Sequence, residues 1–105
     1  MDQIPNKIKN IINKYIAVLN KNDFPIEKAV LYGSYAKGTF KKHSDIDIAL
    51  VSNSFDGVRF IDRNKIMKIT LEISKDLEPM PFTPNDFTTE NPFVQEILNT
   101  GVVIK

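Results

Sequence analysis

The chain has 105 residues, 14 Lys plus Arg against 13 Asp plus Glu, a formal net charge of +1 and no cysteine. That length suits a single domain over residues 1–105, the near-neutral balance argues against a nucleic-acid domain, and the missing thiols exclude disulfides, thiolate nucleophiles and Cys-ligated metal centres. Any metal must be held by oxygen or by the lone His43, and with no apolar run long enough for a signal or a span, a soluble cytoplasmic chain is expected.

From Ile4 to Leu19, the residues Ile4, Ile8, Ile11, Ile12, Tyr15, Ile16 and Leu19 recur at spacings of three and four, which predicts an amphipathic helix. NKNDFPIEK supplies turn residues, and AVLY before Gly33 reads as a buried strand. Gly33 to His43 is then a turn leading into a short helix. Asp45 to Ser52 alternates carboxylates with isoleucines before ending in IALV, a strand whose period of two puts Asp45 and Asp47 on one face.

SNSFDG breaks the pattern, and Phe60 to Ser74 resumes it as a second helix, with Ile61, Ile66, Met67, Ile69, Leu71 and Ile73 forming a stripe broad enough to pack on a sheet. In LEPMPF, Leu77 to Phe82, two prolines rule out a central strand and leave an edge strand. Pro92 to Thr100 reads as a helix with Pro in its first turn and Gly101 as its C-terminal cap, followed by an apolar VVIK tail of no assigned form. Helices alternating with short strands predict a small α/β or α+β fold, a mixed sheet flanked by helices.

Two aspartates inside an apolar run cost stability unless something pairs with them. A divalent cation removes their repulsion, and Mg²⁺ is commonly held by one or two carboxylates together with substrate phosphates. Just upstream, Gly33-Ser34 follows a strand and opens a turn. Gly33 can take positive φ and let a phosphate approach the backbone, and the Ser34 hydroxyl can donate to a phosphate oxygen. An anion cradle beside a metal half-site points to a nucleoside triphosphate.

The set Gly33-Ser34, Gly38, Ser44-Asp45 and Asp47 resembles the signature of the DNA polymerase β-like nucleotidyltransferase superfamily, and the short chain is similar to its minimal nucleotidyltransferase branch. The resemblance implies transfer of a nucleoside monophosphate, AMP above all, from an NTP such as ATP to an acceptor, with two Mg²⁺ ions. It makes Asp45 and Asp47 metal ligands and catalytic residues, and it assigns Gly33, Ser34, Lys37 and Ser44 to the nucleotide. The third carboxylate of the family has no clean match. Glu78, on the expected edge strand, is the choice for that metal-binding and catalytic position; Asp76 is the near competitor, and Glu72 falls on the second helix.

Other readings stand beside these. Ser44 as a residue type argues for backbone hydrogen bonding at the start of the strand, and Gly38 for a turn. Lys41, Lys42 and His43 read as a solvated loop, and Tyr35 and Phe40 as packing residues. The resemblance further implies a small helical HEPN-type partner protein, with this chain as the antitoxin of a toxin–antitoxin pair; no membrane or nucleic-acid partner is expected. A catalytically weak module that neutralises its partner by binding is the alternative. A small-molecule transferase is a third, for which the chain lacks the usual added domain.

Overall fold

The computed structural model describes residues 4–105. Its elements run α1 (Asn6–Lys21), β1 (Lys28–Tyr32), α2 (Ser34–Lys37), β2 (Ile46–Val51), α3 (Arg59–Ile73), β3 (Leu77–Phe82), α4 (Pro92–Thr100) and β4 (Val102–Val103). The four strands form one mixed sheet in the order β3-β2-β1-β4. β2 pairs antiparallel with β1 and parallel with β3, and α3 makes the crossover between the parallel strands.

Both faces of the sheet are covered. Ala29, Leu31, Ile46, Ile48, Leu50 and Leu77 face one way and pack with Ile8, Ile12, Tyr15 and Leu19 of α1, Tyr35 of α2 and Ile66 of α3. Val30, Ala49, Val51 and Phe82 face the other way and pack with Val94 and Ile97 of α4. The apolar IALV of β2 follows from this, since a strand buried on both faces has no polar side to alternate with. α1 buries the residues that its periodicity picks out.

β3 lies at the edge, as its prolines require. Asp76 O and Phe82 O accept from Ile46 N and Ser52 N of the neighbouring strand, so the even-numbered residues carry the ladder. Pro79 and Pro81 fall in the odd set, where a missing N–H points away from β2.

One expectation is corrected in part. α3 turns only half of its apolar stripe inward: Ile66 is buried with Ile69 and Ile73 packed beside it, together with the polar Asp62 and Thr70, while Phe60, Ile61 and Leu71 stand in solvent. Thr70 donates to Ile66 O at 2.8 Å, so its oxygen is free to accept from the buried Tyr15 hydroxyl at 2.6 Å. Asp62 accepts from Asp56 N and Gly57 N at 2.7 and 2.9 Å and closes the turn before α3. These polar residues are inside because each has partners that periodicity cannot count. The VVIK tail, which had no assigned form, places Val102 and Val103 opposite Leu31 and Val30 as β4. Gly101 caps α4 as expected, in extended backbone (φ −88°, ψ 173°); a side chain there would run into Ile97 O, Val30 and Leu31 O, so close packing against β1 selects the glycine.

Candidate active site

The site begins at the end of β1. Gly33 has φ 76° and ψ −151°, backbone open essentially to glycine alone. A Cβ at this position would also meet the Asp47 carboxylate. Glycine is therefore demanded twice, by conformation and by the carboxylate against it. The chain then makes the single turn of α2, in which Ala36 N and Lys37 N reach back to Gly33 O at 3.1 and 3.0 Å. Ser34 and Tyr35 are left with N–H groups that have no intrahelical partner. Gly38 stops the turn in the left-handed region (φ 79°).

Across the sheet, Tyr32 lies opposite Asp47, and Asp47 opposite Glu78. Residues in register share a face, so Tyr32, Asp47 and Glu78 form one row over three strands, on the side that α4 covers. Asp45 sits one residue before β2 and is exposed. Burial pushes the Asp47 carboxyl above its ordinary value, and the charges of Asp45 and Glu78 push it the same way. No hydrogen bond or ion pair among the described residues reaches the side chain of Asp45 or Asp47.

Glu78 does have a partner. Arg63 of α3 reaches it at 3.4 Å, with both side chains partly exposed, and Arg63 Nε is buried without a hydrogen bond. A long, solvated pair of this kind is weak. Asp76, the competing third carboxylate, lines a separate cleft with Ile8, Tyr35, Phe40 and Lys41. Glu72 is exposed on α3.

Would these residues suit a divalent cation? Two carboxylates that repel each other with nothing to neutralise them fit one, in donor type and in charge. Among the described residues no three acidic or histidine side chains stand close enough to share an ion in this conformation, and Glu78 would first have to leave Arg63.

The remaining expected residues lie around this row. Ser34 is half-buried at the start of α2, and Lys37 is exposed at its end. Ser44 Oγ accepts from Lys41 N at 2.7 Å and shapes the loop before β2. Lys41, Lys42 and His43 are exposed. Tyr35 and Phe40 stack on each other at 4.7 Å, which is packing.

Tyr32 and Arg63 are the two residues that sequence reading missed. Burial first, and then the charge of Asp47, hold the Tyr32 hydroxyl up at about 12, so it remains a donor. Its ring meets Phe93 of α4 edge-on at 5.9 Å. Tyr32, Gly33, Lys37, Phe93, Glu96 and Thr100 line a cleft of about 500 Å³ that opens beside the glycine turn. Tyr32 stood in the strand next to Gly33, but only the register with Asp47 marks it.

The family model described as "Polymerase beta, Nucleotidyltransferase" matches residues 6–105. A Methanocaldococcus jannaschii protein provisionally named a protein adenylyltransferase is 34% identical over 82 residues, 71% of this chain and 54% of its own. The chain thus spans about half the length of that relative. A crystal structure from Sulfolobus solfataricus, provisionally described as a nucleotidyltransferase, superposes with a TM-score of 0.64 at 17% identity over 92% of this chain and 78% of that one, a likeness of fold. A toxin–antitoxin crystallised with AMP-PNP superposes with a TM-score of 0.64 at 26% identity, over 92% of this chain and 72% of that one.

Proposed function

The chain belongs to the polymerase beta nucleotidyltransferase family, and from that premise we propose that it transfers a nucleoside monophosphate, AMP by preference, from an NTP to a protein acceptor in a Mg²⁺-dependent reaction. The observation that carries the reading is the row itself: Asp47 stands against Gly33 on one side and beside Glu78 on the other, with Asp45 adding its charge. The glycine turn and the carboxylate row meet at one end of the two central strands.

In this reading the acceptor hydroxyl attacks the α-phosphorus, the bond to the β-phosphate oxygen breaks, pyrophosphate leaves, and the acceptor proton passes to solvent. Asp45 and Asp47 would hold Mg²⁺, with Glu78 as the third ligand once it leaves Arg63. Bound ions supply a lower pKa for the attacking hydroxyl and neutralise phosphate charge. The Ser34 hydroxyl and the N–H groups of Ser34 and Tyr35 hold the β- and γ-phosphates. Lys37 adds a point charge at the far end of α2, and the protonated Tyr32 donates into the cleft. Ser44 serves the nucleotide by fixing the loop that leads into Asp45.

We place the chain as the antitoxin of a toxin–antitoxin pair, with the acceptor a small helical HEPN-type protein and the whole chain acting as one catalytic domain. The toxin–antitoxin neighbour crystallised with AMP-PNP supports this. The test is label from α-³²P-ATP, with this chain, Mg²⁺ and an extract of its host. A labelled protein band with wild type and none with Asp45→Asn/Asp47→Asn is expected. Equal labelling by the double variant would remove the metal site. A second reading, a binding module without transfer, has one observation in its favour, the ion pair that occupies Glu78. Mg²⁺-dependent ATP binding with no labelled band would select it.

A further inference from the structure

The outward side of α3 carries exposed apolar residues among Asn64, Lys68 and Glu72, where a helix packed only on its own sheet would be polar throughout. Phe60 is 75% exposed, Leu71 60% and Ile61 44%, and Val58, which caps the helix, is 50% exposed. At about 100° per residue, Phe60, the half-buried Met67 and Leu71 fall within an arc of about 40°, with Asn64 at its edge, Ile61 about 100° round the helix from Phe60, and Val58 ahead of the first turn. The stripe from Phe60 to Leu71 runs about 16 Å, three helical turns. Among the described residues, four of the seven exposed large apolar side chains lie on this one element and its cap, so the exposure is concentrated there.

The charges around it choose the occupant. Arg59, Lys68 and Lys75 are exposed, and no acidic group among the described residues pairs with them; Glu72 is the single exposed acid on the helix. A second copy of this chain is disfavoured. In a two-fold antiparallel α3 pair each flank meets its own copy, so Lys68 and Lys75 would line the same side as the partner copy's lysines. A rim of carboxylates around an apolar helix face matches both features at once.

We propose that α3 is the docking surface for an amphipathic, acid-flanked helix of a second protein, with Phe60, Met67 and Leu71 as the buried anchors and Lys68 and Lys75 as the charge complement. The mode is helix against helix, read through anchors at i, i+7 and i+11. The inference rests on the proposed transfer function only for the partner's role as acceptor. The surface lies along the element whose Arg63 holds Glu78, so a docked partner sits beside the third carboxylate.

The test uses the whole ¹⁵N-labelled chain and two synthetic three-turn helical peptides with the same leucine stripe, one flanked by Glu and one by Lys. Binding of the Glu-flanked peptide with amide shifts centred on residues 58–72, and weak or no binding of the Lys-flanked one, is expected. Phe60→Ser/Leu71→Ser should weaken binding about thirty-fold or more while keeping the wild-type circular dichroism, and Lys68→Glu/Lys75→Glu should weaken it in a way that high salt mimics. Absence of binding, equal binding of both peptides, shifts centred elsewhere, or concentration-dependent dimerisation abolished by Phe60→Ser/Leu71→Ser would overturn the proposal. So would tighter binding to phosphatidylglycerol vesicles than to the Glu-flanked peptide. The Asp45→Asn/Asp47→Asn variant separates the two readings: it must keep full peptide binding even though it loses label transfer.

Discussion

Replacing Gly33 with alanine tests the site where conformation and chemistry meet. At φ 76° and ψ −151° a side chain costs about 1–3 kcal/mol, and the upper part of that range applies because this region is open essentially to glycine alone. The new methyl would also meet the Asp47 carboxylate, which must swing off its preferred rotamer at about 1 kcal/mol more. Together the loss is about 3–4 kcal/mol, a large share of the stability of a small domain and about 15 °C or more in Tm. Thermal unfolding followed by circular dichroism measures it, with Asp47→Ala as the second arm of a double-mutant cycle. In the Asp47→Ala background the glycine substitution should cost about 1 kcal/mol less, since only the backbone strain remains. A Gly33→Ala protein that melts within a few degrees of wild type would refute the backbone assignment. A strictly additive cycle would refute the contact between carboxylate and glycine.

Asp47→Asn should raise stability at neutral pH by about 0.5–1 kcal/mol while abolishing transfer. The folded state holds the Asp47 proton more tightly than the unfolded state does, so wild-type stability falls as pH rises through the raised pKa. The melting difference between the two proteins should accordingly be small near pH 3 and open toward pH 7; a constant difference across that range would contradict the repulsion. Thr70→Val leaves the buried Tyr15 hydroxyl without its acceptor and should cost about 1–3 kcal/mol in urea denaturation. Tyr15 itself is pushed up to about 12, mainly by burial, so the unfolded chain ionises first and stability should decline above about pH 10, a decline that Tyr15→Phe reduces. Glu78→Gln frees Arg63 from its weak pair and should change Tm by less than about 1 kcal/mol in equivalent stability, yet lower the rate of label transfer and raise its Mg²⁺ requirement. Unchanged transfer would move the third carboxylate elsewhere.

Much of the fold was legible in local pattern. The isoleucines of α1 gave its buried face, and the two prolines of β3 put that strand at the edge. α3 misled because its stripe mixes two faces: Ile66 turns inward, while Phe60 and Leu71 turn out. Period alone cannot tell which half of an apolar helix the sheet will take. The tail escaped because its pairing with β1 is a long-range event, and two valines carry no strand signal of their own.

The sequence by itself determined the glycine turn, the carboxylate pair and the order of elements around them, because each is set by residue type and short spacing along one chain. Among the described residues, no helix is long and apolar enough to cross a membrane. Tertiary structure alone decided that Glu78 and not Asp76 stands beside Asp47, that Tyr32 completes the row, that Arg63 occupies Glu78, and which face of α3 is left bare. Those four follow from register between strands and from a helix's rotation about its axis. Both are settled by contacts among residues far apart in the chain, and shifting either by one residue would send every side chain to another face.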